Sequence, residues 1–372
     1  MSAKPFQPLR FVSKDRSQFF AVLRKRIDQY FVDENISRHA NGEMKLKMVV
    51  LLLGYILPFI LMLGLKLEGP TGYLCFAVMG IFVAGVGMSV MHDAIHGAFS
   101  KKQKINDLVG YSLNLLGASI SNWKLQHNLL HHTYTNIVSH DEDIKPRVGL
   151  KFNPNIKTKN VHRFQFVYAF FFYGIITLYW VVAKDLVQFF QFSSRGINKN
   201  TRFENLILFL KMTHMKFWYF GVFLVLPIFV LGFSAKFILT GFLLMHFIAG
   251  IILTLIFQLA HTVEATSHPQ PDESGIIEND WAIHQMNTTV NFSKNNRLLS
   301  WYVGGLNYQV EHHLFPKICH VHYPAIAPIV KQTAEEFGVP YLENANLSEA
   351  LGSHFRFLKE MGRMPSLQEA IA

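Results

Sequence analysis

Eight histidines in this chain fall in clusters with the spacing of metal ligands. They are His92 and His96 in HDAIH, His127, His131 and His132 in HNLLHH, His312 and His313 in QVEHH, and His261, alone after a long apolar stretch. Imidazole ligates first-row transition metals well, and eight rings are too many for one ion, so the pattern predicts two metals. Residues four apart share a helix face, which suits His92 with His96 and His127 with His131. His132 then points about 100° around the same helix. His312 and His313 cannot face one point on an ideal helix, but they could straddle two metals. Buried, hydrogen-bonded histidines without a metal are the alternative, and it must explain eight costly polar rings in a few short stretches. The HExxH pattern of zinc peptidases is absent and no cysteine is placed to ligate. Ligand type alone leaves iron, copper, zinc and nickel open. Many histidines with few carboxylates favour redox iron with open positions for O₂, unlike the carboxylate-rich soluble di-iron bundles.

The elements that must position these residues are apolar. Half of the 372 residues are hydrophobic, 34 are Phe and 16% are charged, against about 25% charged in a typical soluble protein. That balance points to an integral membrane protein. A formal charge of +10 fits an anionic membrane face, and with this apolar content no nucleic-acid partner is expected. Cys75 and Cys319 form no disulfide or thiolate pattern, and Cys75 reads as a small core residue. Residues 1–47 mix both charges and hold no apolar core, so they read as a cytoplasmic N-terminal segment rather than a cleavable signal.

Five stretches lack Asp, Glu, Lys and Arg: Met48–Leu65, Gly69–Met91, Phe164–Ala183, Phe217–Ala235 and Phe237–Ala260. A crossing needs about 20 residues, and membrane bundles tolerate Pro58 and Pro227. If all eight histidines serve one cluster, they lie on one side of the bilayer. Two tight hairpins, at 66–68 and 232–236, each return the chain to its starting side, just before His92 and just before His261. A lone crossing by 164–183 would separate His261, His312 and His313 from the other five. The expected fold is therefore all-α, with four transmembrane helices in two hairpins (about 48–66, 70–91, 217–235 and 237–260). Segment 164–183, rich in aromatics, would lie in the interface. Segments 92–163 and 261–372 would form a helical cap holding the di-metal site. Ten Lys/Arg in residues 1–47, against Lys66 and Lys236 in the turns, place both termini and the site in the cytoplasm. A multi-pass protein of a bacterial plasma membrane is expected.

HDAIH, HNLLHH and QVEHHLFP resemble the three histidine boxes of the membrane fatty acid desaturases. The likeness extends over residues ~75–330, through HHTYTN (131–136), GGLNYQVEHH (304–313) and the run from His320 to Pro324. A glutamine heading the third box, Gln309, resembles the front-end branch, which includes Δ5 and Δ6 acyl desaturases. The resemblance implies two iron ions on His92, His96, His127, His131, His132, His261, His312 and His313. These would activate O₂ to desaturate a fatty acyl chain, as acyl-CoA or acyl-lipid, in unsaturated fatty acid biosynthesis. It makes residues 48–372 a desaturase domain and Gln309 either a ligand or a donor to one. Many eukaryotic members carry a fused cytochrome b5 domain with an HPGG sequence. None occurs here, so the chain reads as a bacterial-like form served by a separate electron donor, a ferredoxin or a free cytochrome b5.

Around the boxes, Asp93 and Glu311 are candidates to accept the outer N–H of ligand imidazoles, whereas Glu264, Asp141 and Asp143 read as solvated charges. Asn136 and Trp123 either face substrate or cap and pack. His246, in mid-span, reads as a satisfied core or tunnel-lining residue. His140, His268, His284, His320 and His322 lack paired spacing and read as surface or packing residues. Gly80, Gly85 and Gly87 permit close approach of a helix or an acyl chain. Lys101, Lys102, Lys104, Lys124 and Arg147 suit lipid headgroups, coenzyme A phosphates or the cytoplasmic charge bias. No catalytic residue beyond the metal centre is expected. Two other functions share these features: a di-iron lipid or carotenoid hydroxylase or ketolase, and a histidine-rich metal transporter. Transporters place ligands near the bilayer midplane on broken helices, whereas these ligands follow span ends.

Overall fold

A computed structural model describes residues 5–13, 18–145 and 149–365; Arg147 lies outside the described residues. Among these, five helices are long and apolar enough to cross a membrane: Gly42–Gly64, Gly69–His96, Asn160–Ser194, Arg202–Val230 and Ala235–His261. Local chemistry starts them. The Asn41 side chain accepts from the backbone N–H of Met44 at 3.0 Å, Pro70 occupies the first turn of the second helix, and Thr201 and Glu204 cap each other at the fourth. The first and second helices form one hairpin, the fourth and fifth the other. The fourth helix begins at Arg202 rather than near Phe217 and ends at Val230, so its apolar run is preceded by turns that carry Arg202, Glu204 and Lys211.

The second and fifth helices pack at close range. A Cβ on Gly80 would lie 2.6 Å from the carbonyl oxygen of Met245, and one on Gly85 would lie 2.8 Å from Leu51. Close helix packing thus accounts for these two glycines. The third helix lies along the fifth, where the Thr177 hydroxyl donates to the carbonyl of His246 at 2.6 Å. Its middle turns through a π-helical segment, Trp180–Lys184. Both of its ends are tied to cap segments. Near the start, Gln165 accepts from the backbone of Lys151 and donates to the carbonyl of Leu358, each at 2.8 Å. Near the end, Gln188 donates to Gln126 at 2.7 Å and Arg195 pairs with Glu142 at 3.0 Å. The expected interfacial stretch 164–183 is therefore the first part of a 35-residue helix, one of five candidate spans where four were expected.

The cap also recruits the amino-terminal segment. Helix Phe19–Asp33 buries Phe19, Leu23, Ile27 and Phe31 in one apolar cluster with Ile326 and Val330 of helix Tyr323–Glu336. The i, i+4, i+8, i+12 spacing of those four residues makes that face. Two short parallel strand pairs, Arg10–Phe11 with Ile276–Ile277 and Asn291–Phe292 with Glu343–Asn344, tie distant cap segments together.

One buried ion pair staples the bend of the third helix. Lys216 Nζ lies 2.9 Å from the Asp185 carboxylate and also donates to the carbonyls of Trp180 and Val181. Asp185 accepts from the backbone N–H of Ser119 and from the Trp180 indole. Removing one partner strands a buried charge, which costs about 3–5 kcal/mol. Asp185→Ala or Lys216→Met should therefore lower the thermal midpoint of the detergent-solubilised protein by several degrees. The double variant should recover part of that loss, and equal midpoints for all three variants and the parent would contradict the staple.

Candidate metal centre

Each histidine cluster is placed by an unusual local backbone. His92 and His96 follow a π-helical segment, Val86–Val90, at the end of the second helix, which stops at Gly97 with φ of 78°. The second cluster lies on a helix over 120–134 whose central eight residues, Lys124–His131, are π-helical. A π-turn bonds residue i to i+5, so it aligns His127 with His132 as well as turning His131 aside. The sequence pattern alone suggests an ordinary α-helix here, with His127 and His131 as the facing pair. His261 is the last residue of the fifth helix. His312 and His313 sit on a six-residue helix, Gln309–Leu314, entered through Gly304 and Gly305 at φ of 63° and 66°. A Cβ on Gly304 would lie 2.7 Å from the Ser89 hydroxyl, so the turn needs glycine for both conformation and space.

These elements bring all eight histidines together, and every one is buried. Ligand atoms of His92, His96, His127 and His312 lie within 4.8 Å of one another, as do those of His131, His261 and His313, and those of His132, His312 and His313. His312 thus joins one group, His313 the other, and His132 bridges them. The Nε2 atoms of His92 and His127 are 3.1 Å apart, and those of His132 and His127 are 3.2 Å apart. Two nitrogens bound at about 2.1 Å and at right angles around one ion stand roughly 3 Å apart, so the spacing suits a coordination shell.

The donor chemistry also fits a metal. The Nδ1 atoms face outward to protein: His131 to Asp141 at 3.1 Å, His261 to the carbonyl of Thr288 at 3.2 Å, His312 to the Tyr323 hydroxyl at 3.2 Å, and His313 to Gln285 Oε1 at 2.7 Å. The acceptor oxygens of Asp141, Thr288 and Gln285 hold the proton on Nδ1 and leave Nε2 unprotonated. The Nε2 atoms of His96, His131, His312 and His313 are buried with no hydrogen-bond partner. Unsatisfied buried nitrogens are costly, and a cation is what their converging lone pairs accept. Burial holds the pKa values of His132, His312 and His313 well below the usual imidazole value, and that of His127 at about 4. Neutral rings are what a metal requires; His131 departs from this, since against the effect of burial the neighbouring Asp141 and Asp143 raise its pKa.

The carboxylates are distributed otherwise than the sequence suggests. Asp93 and Glu311 accept from no ligand histidine among the described residues. Asp93 accepts from His320 Nδ1 at 2.8 Å and from the Cys319 thiol, and Lys47 closes that buried cluster 2.7 Å from His320 Nε2. Glu311 accepts from Asn291 and from the Tyr341 hydroxyl, each at 2.8 Å, and burial raises its pKa. Asp141 and Asp143, which read as solvated charges, are the acids at the site. Asp141 is fully buried on His131, and Asp143 lies 3.7 Å from His127 Nδ1 and bonds to Gln126. Sequence spacing gives no sign of this, because the chain reverses through Asn136 and Ser139 at positive φ. Asn136 is a packing residue, donating from its backbone to Asp141 and from its side chain to the carbonyl of His261. Glu264 is a solvated charge paired with Arg356.

Gln309 places its amide nitrogen 2.8 Å from His261 Nε2, while its Oε1 is buried without a partner. His246 is a satisfied core residue between Tyr219 and Thr177. His140 packs against Phe6 and Tyr134, His268 stacks on Phe357, His284 packs on Phe11, and His322 bonds the carbonyl of His39. Lys101, Lys102 and Lys104 are exposed, and Lys124 lies 3.8 Å from Asp107.

A cavity of about 510 Å³ extends from the histidines between the apolar helices. His92, His127, Trp123 and Gln309 line its metal end, and Gly87, Ile176, Leu253 and Phe257 line its apolar part. The Trp123 ring lies 4.2 Å from that of His127, so it faces both metal and cavity. Loss of an outer partner to a ligand imidazole costs about 10–100-fold in metal affinity. Asp141→Asn should accordingly weaken metal retention by that factor in chelator competition with the membrane-bound protein, and retention equal to the parent would refute its role.

The fatty acid desaturase family profile matches residues 68–345. A sn-1 linoleoyl-lipid 6-desaturase of Arthrospira platensis is 37% identical over 93% of this chain and 93% of its own length. Its counterpart from a Synechocystis species is 36% identical over 93% of this chain and 96% of its own length. An acyl-lipid (8-3)-desaturase of Physcomitrium patens is 33% identical over 95% of this chain and 74% of its own length. With converging buried imidazoles beside an apolar cavity and this likeness along almost the whole chain, the protein belongs to the fatty acid desaturase family and is an oxidoreductase of that kind.

Proposed function

We propose that the chain is a front-end acyl-lipid desaturase with a di-iron centre, acting at or near carbon 6 of a lipid-linked chain. The cavity carries this reading: it extends from His92 and His127 between apolar helices, with a volume inside the range of about 300–1,000 Å³ usual for ligand sites. The names of the cyanobacterial relatives favour a lipid-linked substrate and position 6. An acyl carbon offers no charge to grip, so selectivity rests on positioning. Phe257, Leu253 and Ile176 wall the chain, and Gly87 leaves room beside Leu253. The imidazoles of His92, His96, His127 and His312, and those of His131, His261 and His313, would each hold one iron, with His132 between them and Gln309 beside the second group. The irons supply the oxidising power drawn from O₂ that removes hydrogen from unactivated carbons. The protein's part is to keep the rings neutral, hold their Nδ1 protons on Asp141, Thr288, Tyr323 and Gln285, and exclude bulk water with apolar walls.

Four crossings are part of the same proposal. The gathering of His92, His261 and His312 at one site supports it, as do the cap contacts at both ends of helix Asn160–Ser194. In this reading that helix enters and leaves on the same side, and the chain's basic ends face the cytoplasm. Electrons come from a separate carrier protein.

Expression in a host of simple lipid composition, with double-bond location in the extracted fatty acids, tests the activity. A new double bond at carbon 6 of a lipid-linked chain is expected, and a hydroxylated or keto product would refute desaturation. His96→Ala, His131→Ala and His313→Ala should each reduce that product below detection while leaving the protein in the membrane at the parent level. The purified parent should hold about two irons per chain, and full activity in any of the three variants would refute the ligand set. For topology, single cysteines at Lys101 and Lys199 should label from the cytoplasmic side, and those at Lys66 and Gly232 from the other. Labelling of position 199 from the side opposite position 101 would show a third-helix crossing.

A further inference from the structure

The proposed reaction consumes electrons that the chain does not make. Each turnover takes a CH₂–CH₂ pair, O₂, two protons and two electrons to a CH=CH pair and two waters, so two reduced carriers must each lose one electron. One surface is connected to the ligand helices by direct bonds. Helix Trp281–Thr288 places Gln285 on His313 Nδ1 and, one turn earlier, the Trp281 indole N–H on the carbonyl oxygen of His132 at 3.2 Å. Trp281, Phe20 and Phe315 are each partly exposed. Phe20 meets Trp281 edge-on with centroids 5.6 Å apart and meets Phe315 at 5.8 Å. Phe315 lies two residues beyond His313 and donates its backbone N–H to the carbonyl of Glu311.

Basic side chains border this aromatic patch. Arg24 follows Phe20 by one turn and is 72% exposed, and Lys317 follows Phe315 and is exposed. Asp28 lies between Arg24, at 4.0 Å, and Arg38, at 3.0 Å, and the Arg38 carbonyl accepts from the backbone N–H of Cys319. Among the described residues, Arg24, Arg38 and Lys317 stand against Asp28 and against Asp280 at the start of the Trp281 helix, so the border keeps a net positive charge. We propose that this face, centred on Phe20, Trp281 and Phe315, docks a small acidic one-electron carrier protein and that Trp281 lies on the entry route to the metal centre. Opposite charge steers such an encounter and makes it salt-sensitive, while the exposed rings supply contact area. The proposal rests on the di-iron reading above.

The test uses the full-length, iron-loaded enzyme in membranes, with reduced plant-type ferredoxin and reduced cytochrome b5 as probes. Binding is read without turnover, by cosedimentation. The double variant Arg24→Glu/Lys317→Glu should raise the Kd of the productive carrier at least tenfold at low ionic strength. It should also remove most of the salt dependence, with iron content and the rate of reduction by dithionite unchanged. Trp281→Phe keeps a ring and loses the N–H, and it should slow reduction by the carrier at saturation while leaving Kd near the parent value. A charge-reversal variant within twofold of the parent in both Kd and reduction rate would overturn the docking face. Failure of both carriers to reduce a parent enzyme that dithionite reduces would overturn it equally. Failure of the di-iron reading would be distinct, visible as no dithionite-reducible iron in the parent.

Discussion

The structure depends on one requirement: eight imidazoles must converge in buried groups, the ligand atoms of each group lying within 4.8 Å of one another. Neutral, unprotonated nitrogens pointing at each other are unfavourable unless a cation takes their lone pairs. The scaffold therefore fixes them from outside, through Nδ1 partners drawn from Asp141, Thr288, Tyr323 and Gln285. Those partners lie on segments far apart in the chain, so the cap has to be rigid for the site to exist. The glycine pair before the third cluster and the π-helical segments before the first and within the second serve that requirement. Each gives up regular backbone geometry to aim a ring.

The ligand candidates and the helical membrane architecture were legible in the sequence because both write themselves as short-range patterns. Imidazoles four apart and uncharged runs of about 20 residues need no knowledge of tertiary contacts. The outer residues were not legible, since they depend on chain reversals. Asp141 reaches His131 only because Asn136 and Ser139 take positive φ, and an Asn or Ser at such a place leaves no strong local signal. Asp93 and Glu311 misled for the opposite reason. Adjacency to a ligand on a helix sends a side chain to another face, so they pair with His320, and with Asn291 and Tyr341, instead.

Helix limits were blurred by similar physics. Arg202–Phe220 continues the fourth span with Lys211 and Lys216, which a charge-free window excludes. Lys216 is nevertheless buried, its ammonium neutralised by Asp185 and surrounded by carbonyls. Five helices satisfy length and apolarity, and those two properties alone do not tell a crossing helix from one laid along its neighbours.

The ring centroids of His92 and His312 end 4.5 Å apart, although 220 residues separate them in the sequence. Closing so long a loop is entropically slow, and it cannot happen before the last cap segments have been synthesised. A nascent chain threaded through its hairpins presents only partial ligand sets, none of them the complete pair of groups. The site is in this sense a completion check on folding: only a chain whose two helix hairpins have packed and whose carboxy-terminal third has docked holds the full set of imidazoles.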